Sequence, residues 1–207
     1  MIRRVIGWVA AAGLVISLAG LALAQGGQSA ANDQGQEQSN VGSGSNQQLA
    51  QMLQAAAQMN QSEEQDAALA RDKSGSNQAM RTLADTMEGD HRANQAAVQA
   101  LASQSHVQLS NNANSQQQAT YDRLNQLSGP QFNRAFLREE INQHRQAIDQ
   151  FRQAEQQLQG NRDAETYIHQ TLPVLEAHLH MAENLHRDAS AGSMAQNPTG
   201  DPTEQNQ

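Results

Sequence analysis

PQFNRAFLREEINQHRQAIDQFRQAEQQLQGNRDAETYIHQTLPVLEAHLHMAENL, residues 130–185, is the stretch that decides the fold. Apolar side chains recur every three or four positions on both sides of a single break, Gly160-Asn161. Before the break Leu137, Ile141, Ile148, Phe151 and Leu158 share one stripe; after it Ala164, Ile168, Leu175, Ala182 and Leu185 do. Such spacing gives each segment one apolar face in a helix, and the glycine break lets the two helices fold back on each other. The first is expected from about Pro130 to Gln159, because proline is tolerated in a first turn where its missing N–H has no partner to lose. The second is expected from about Arg162 to Arg187, with Pro173 kinking or splitting it.

The same pattern occurs once more upstream. Leu49, Met52, Leu53, Ala56, Met59, Ala67 and Ala70 form a stripe over about Gln47 to Lys73, and Ser74-Gly75 ends it. Met80, Leu83, Met87, Asn94, Val98 and Leu101 form another over about Ser76 to Ser103. A polar linker at Ser110 to Ser115 leads to a short helix at about Gln117 to Leu127. Two hairpins joined by a longer connection that carries a small helix predict an all-α fold, a four-helix bundle with one crossover. Composition agrees: aromatics are 3 %, and the apolar residues are chiefly Ala, Leu and Met, which helices select over strands.

Outside residues 47–188 the expectations differ. Residues 1–24 read as a signal peptide: Arg3 and Arg4 precede an apolar run from Val5 to Leu23 that closes on Ala22-Leu23-Ala24, and cleavage is expected after Ala24. An uncleaved inner-membrane anchor is the alternative, because the run is close to the roughly 20 residues that span a bilayer. Residues 25–46 are Gly, Ser, Gln and Asn with hardly an apolar side chain and are expected to be a disordered linker; residues 189–207, with Pro198 and Pro202, a disordered tail. The chain is therefore expected to be exported, to the periplasm or beyond, with no stable membrane insertion once cleaved. The net charge is −8, and without Arg3 and Arg4 it is 11 basic against 21 acidic residues, or −10. So acidic a protein has no electrostatic reason to bind nucleic acid, and its surface offers no candidate protein partner. With no cysteine there is neither a lipid attachment site nor a disulfide, and the fold must stand on its core.

Function is expected where a stripe is broken by an ionisable residue. Glu63 interrupts the first stripe, His91 the second, His144 the third and His178 the fourth. His91 lies sixteen residues past Gly75, His144 sixteen before Gly160 and His178 eighteen after it, so the three histidines come out level if the hairpins are aligned end to end. Glu63, twelve residues before Gly75, lies about one turn off that level and is the weaker fourth member. Three imidazoles and a carboxylate suit a first-row transition metal: copper, zinc or iron. Asp90 and Glu140 are placed to orient imidazole N–H groups. Met87 and Met181, a turn from His91 and His178, would tilt the choice towards copper. His106, His169, His180 and His186 fall off the stripes and are expected to face solvent. The competing reading is a non-enzymatic structural or envelope-stress interaction protein, whose interior polar residues only fix helix register. No nucleophile with its base, phosphate loop or dinucleotide fingerprint is present.

Three blocks, LADTMEGDH (residues 83–91), LSGPQFNRAFLREEINQH (127–144) and LPVLEAHL (172–179), resemble those of the domain of unknown function 4142 family of exported bacterial proteins, often labelled predicted outer-membrane proteins. The resemblance covers about Gln47 to Leu185. It implies a ferritin-like four-helix fold and puts Glu63, His91, His144 and His178 at the family's recurring Glu and His positions. Where the family has Phe-Asp and then Tyr, this chain has Phe132, Asn133 and Phe136. The paired Glu-x-x-His motifs of di-iron ferritins are absent, so the fold alone does not license ferroxidase chemistry. An outer-membrane barrel is not expected either, since no strand pattern is present.

Overall fold

A computed structural model describes residues 33–110 and 114–195. They form five helices and, among the described residues, no strand: α1 (Asp33–Lys73), α2 (Gln78–Gln104), α3 (Ser115–Asn125), α4 (Gly129–Gln157) and α5 (Arg162–Ala195). The expected signal peptide, 1–24, the start of the expected linker, 25–32, and the end of the expected tail, 196–207, lie outside the described residues.

The two breaks act as expected. Gly75 (φ +67°) and Gly160 (φ +88°) occupy left-handed conformations that a side chain disfavours, and each closes a tight connection between two long helices. Helix α2 is capped by Asn77, whose side chain accepts from the Met80 backbone N–H at 3.1 Å. Helix α3 opens with a full capping box between Asn114 and Gln117.

Two helix ends and one interior break differ from expectation. Helix α1 starts at Asp33, so residues 33–46 of the expected linker, 25–46, are helical; once a helix is nucleated, each added residue gains a hydrogen bond without a new nucleation cost. Helix α5 continues to Ala195, past the expected start of the tail at 189. Pro173 does not split it in two: α5 is one helix through that position, with Ile168 and Leu175 in the apolar core on either side.

Helices α1 and α2 pair most extensively, as do α4 and α5; α1 also packs on α4 and α2 on α5, while α3 lies against α1 and α4. The interior divides into two apolar clusters. One gathers Leu53 of α1, Val98 of α2, Phe151 of α4 and Ile168 of α5; the other gathers Ala67, Leu83, Phe136 and Ala182 of the same helices, with Leu124 of α3. The start of α1 and the end of α2 thus share one end with the close of α4 and the opening of α5. Neighbouring helices are antiparallel, and the connection through α3 joins the end where α2 stops to the opposite end where α4 starts. All four long helices cross the gap between the clusters, and the candidate site lies there. No helix of the described residues is long and apolar enough to cross a membrane.

Candidate metal centre

The residues that fill this gap are polar and buried: Asn60, Glu63 and Asp66 on α1, His91 on α2, Glu140 and His144 on α4, and Thr171 and His178 on α5. Each belongs to an inward stripe, so the helical period that builds the apolar clusters also aims these side chains inward. His91, His144 and His178 meet, with ring centroids 5.2–5.8 Å apart. One nitrogen from each ring lies within 4.8 Å of the other two.

The neighbours of each ring decide which nitrogen carries the proton. The Asn60 amide group donates from Nδ2 to Asn94 Oδ1 (2.9 Å) and Gln95 Oε1 (3.2 Å), which leaves Asn60 Oδ1 as an acceptor. His91 Nδ1, 3.0 Å from that oxygen, therefore carries the proton. Asn94 is itself fixed, accepting from the Tyr167 hydroxyl at 2.8 Å and donating to Thr171 Oγ1 at 2.9 Å. His144 Nδ1–H donates to the Glu140 backbone carbonyl at 3.0 Å, and His178 Nε2–H to Asp90 Oδ2 at 2.9 Å. The remaining nitrogens, His91 Nε2, His144 Nε2 and His178 Nδ1, are lone-pair acceptors. His91 Nε2 is buried without a partner, and the other two lie 3.3 Å apart. Burial keeps the first two rings neutral: it holds His91 well below the usual imidazole range and His144 down to about 3, with the neighbouring imidazoles adding to the effect.

Three converging lone pairs repel unless a cation or proton sits among them. Bonds of about 2.0–2.1 Å to nitrogen in a tetrahedral zinc site imply nitrogens about 3.3–3.4 Å apart, and the His144–His178 pair already has that separation. The donor set fits zinc, copper or iron, each imidazole being steadied from behind by an oxygen acceptor.

Glu63 is placed differently from expectation. It groups with Glu140 and His144, on the Nδ1 side of that ring: Glu63 Oε1 is 3.9 Å and Glu140 Oε2 3.6 Å from His144 Nδ1. Both glutamates are fully buried, and none of their four oxygens meets a donor; the two oxygens of Asp66, 1 % exposed, do not either. Burial pushes Glu63 up to about 8 and Glu140 well above the carboxylate range, and moves Asp66 up to about 7. A proton shared between Glu63 and Glu140 turns their facing oxygens into a hydrogen bond. Asp90, expected to orient an imidazole, does so for His178. Glu140 does so for His144 through its backbone carbonyl, while its carboxyl joins the group with Glu63.

Met87 and Met181 pack in the apolar cluster around Phe136, and nothing in their placement favours copper. His106, His169 and His180 are exposed, as expected, but His186 is half-buried. The sequence reading missed Asn60 and Asp66. The signal was available: 56, 60, 63, 66 and 70 follow the same three-and-four spacing as the stripe through Glu63.

No curated protein and no solved structure matches the chain. A family profile does, over residues 33–185, from the first residue of α1 to the last turns of α5. That span contains both apolar clusters and the polar layer between them, and the chain belongs to the family described as Domain of unknown function (DUF4142).

Proposed function

We propose that this protein is an exported, ferritin-like four-helix bundle with one crossover that holds a single transition-metal ion at His91, His144 and His178. The reading rests on one observation: three buried imidazoles from three helices, each with one nitrogen held as a donor by Asn60, Glu140 or Asp90, turn their remaining lone pairs on one another. Zinc is the ion this all-nitrogen set suits best, with copper and iron next. The export reading is supported by the segment 1–24, whose two arginines, apolar run and Ala22-Leu23-Ala24 close suit a cleaved leader.

The competing reading, a non-enzymatic envelope protein whose polar layer only fixes helix register, draws on the amide and hydroxyl chain from Asn60 through Asn94 to Tyr167 and Thr171, which ties α1, α2 and α5 together. Elemental mass spectrometry separates the two. Chain exported by its own leader and purified without a metal-affinity tag should carry near-stoichiometric metal, and a His91→Ala/His144→Ala variant should carry none while keeping its far-UV circular dichroism. Metal-free wild type that also refuses zinc, copper and iron on titration would leave the register-fixing reading.

A further inference from the structure

We propose that the same layer holds a second cation, an oxygen-preferring divalent ion of the manganese kind, at the carboxylates of Glu63 and Glu140, with His144 as the wall between the two ions. This rests on the metal reading above but on different ligands, so the two can fail separately.

The argument starts from what the carboxyl groups lack. Glu63 and Glu140 are 0 % exposed, and apart from a proton one can lend the other, their four oxygens have no hydrogen-bond donor. Among the described residues the one basic group within 4.0 Å is the His144 ring, which burial keeps neutral. A buried pair of carboxyls with no counter-charge, and no donor beyond a proton shared between them, is a costly thing for an interior to contain. An amide pair or an apolar pair at these positions would join α1 to α4 at lower cost, so helix packing alone does not account for two acids. A divalent ion does, because it supplies the missing counter-charge to both at once.

The ligand set also has a direction. His144 turns Nε2 towards His178, and its Nδ1 edge lies on the side of Glu63 and Glu140. One group is therefore three imidazole nitrogens; the other is two carboxylates whose oxygens lie within 4.8 Å of each other, close enough for one ion, while the neighbouring His144 Nδ1 keeps its proton and is no ligand there. Asp66, one turn along α1 and equally devoid of donors, adds a third buried carboxyl on the oxygen side. Nitrogen donors select zinc or copper, whereas carboxylates suit manganese or magnesium, so the two groups sort different ions.

The test loads demetallated full-length exported chain with one equivalent of Zn2+ and then titrates Mn2+, reading free manganese by electron paramagnetic resonance and total metal by elemental mass spectrometry. Glu63→Gln/Glu140→Gln keeps the side-chain shape and removes the charge; single Glu63→Gln serves if the double variant loses helicity. Wild type should take one Zn2+ and one Mn2+. The glutamine variant should keep Zn2+ and lose Mn2+ affinity tenfold or more, and His91→Ala/His178→Ala should lose Zn2+ first. The proposal is overturned if wild type binds no Mn2+, or if the glutamine variant binds it as wild type does, which would put the ion on the acidic surface. Mn2+ binding that depends on the glutamates, with Zn2+ binding indifferent to the histidine variant, would uphold the carboxylate site and reject the histidine site.

Discussion

The two apolar clusters and the polar layer between them are made by the same four helices, at the same helical spacing, and at equal depth: Phe136 and His144 are both 0 % exposed. In the clusters each side chain is complete once its neighbours pack against it. In the layer His91 has one ring nitrogen held and the other without a partner, His144 and His178 have only each other at 3.3 Å for their second nitrogens, and the glutamates meet no donor outside their own pair. Depth alone therefore does not define a core. The clusters contribute stability, whereas each buried polar atom of the layer that lacks a donor costs some.

If that division holds, truncation in a cluster and truncation in the layer should have opposite signatures. The largest expected effect is Phe136→Ala, which removes a fully buried ring stacked on Phe132 at 5.5 Å. It should cost about 3–5 kcal/mol of unfolding free energy while leaving zinc affinity within a few-fold; a denaturant melt and a zinc titration on the same sample read both. In the layer, His91→Ala/His144→Ala should weaken metal binding by more than about 100-fold, beyond the range seen for residues that only support a ligand, with the helix content intact. A melt in which this variant loses as much stability as Phe136→Ala would break the comparison.

A smaller effect is expected behind the ligands. Asn60→Leu removes the acceptor that fixes the His91 proton on Nδ1. Affinity should fall about 10- to 100-fold, and Asn60→Asp, which still accepts, should recover most of it. The histidine tautomer, read by nitrogen chemical shifts, should become mixed in Asn60→Leu alone. A general packing defect would not move that signal.

The last prediction shows as a slope. Glu63 lies at about 8 in the folded chain against 4.5 ordinarily, so the folded state keeps a proton that the unfolded chain has released. Its contribution is fully present below about pH 4.5 and is lost as the pH rises through 8. Asp66, raised to about 7 from 3.8, acts in the same sense. His144 runs the other way: at about 3 against 6.5, it stabilises the fold above pH 6.5 and less as the pH falls towards 3. Metal-free protein should thus be most stable in mild acid, and Glu63→Gln should flatten the alkaline side alone. Thermal melts at pH 5, 7 and 9 test this, and an unchanged alkaline slope in Glu63→Gln would remove Glu63 from the account.

Much of the architecture was legible because a helix face is a local, periodic property. The stripes from Leu49 to Ala70 and from Leu137 to Leu158, the glycine breaks at Gly75 and Gly160, and the entry of His91, His144 and His178 into the interior all follow from spacings of three and four. The levelling of the three histidines could be counted from the turns because rise per residue is constant. The helix ends were less legible: the Gln- and Ser-rich stretch before Gln47 has little preference of its own, and it joins α1 by propagation from the packed part.

What the sequence could not supply was which polar groups face each other across helices. Whether Glu63 joins the three imidazoles or turns to Glu140 depends on the stagger and rotation of α1 against α4, a matter of a few ångströms set by the packing of both clusters. The tautomer of His91 depends on Asn60, thirty-one residues away, and on the amide and hydroxyl groups that fix Asn60 in turn. The sequence by itself determined that four helices would carry ionisable residues inward, since periodicity is written along the chain. Only the tertiary structure decided how those residues divide into a nitrogen group and an oxygen group about His144, because hydrogen bonds and lone pairs act between helices, at distances that no spacing along one helix encodes.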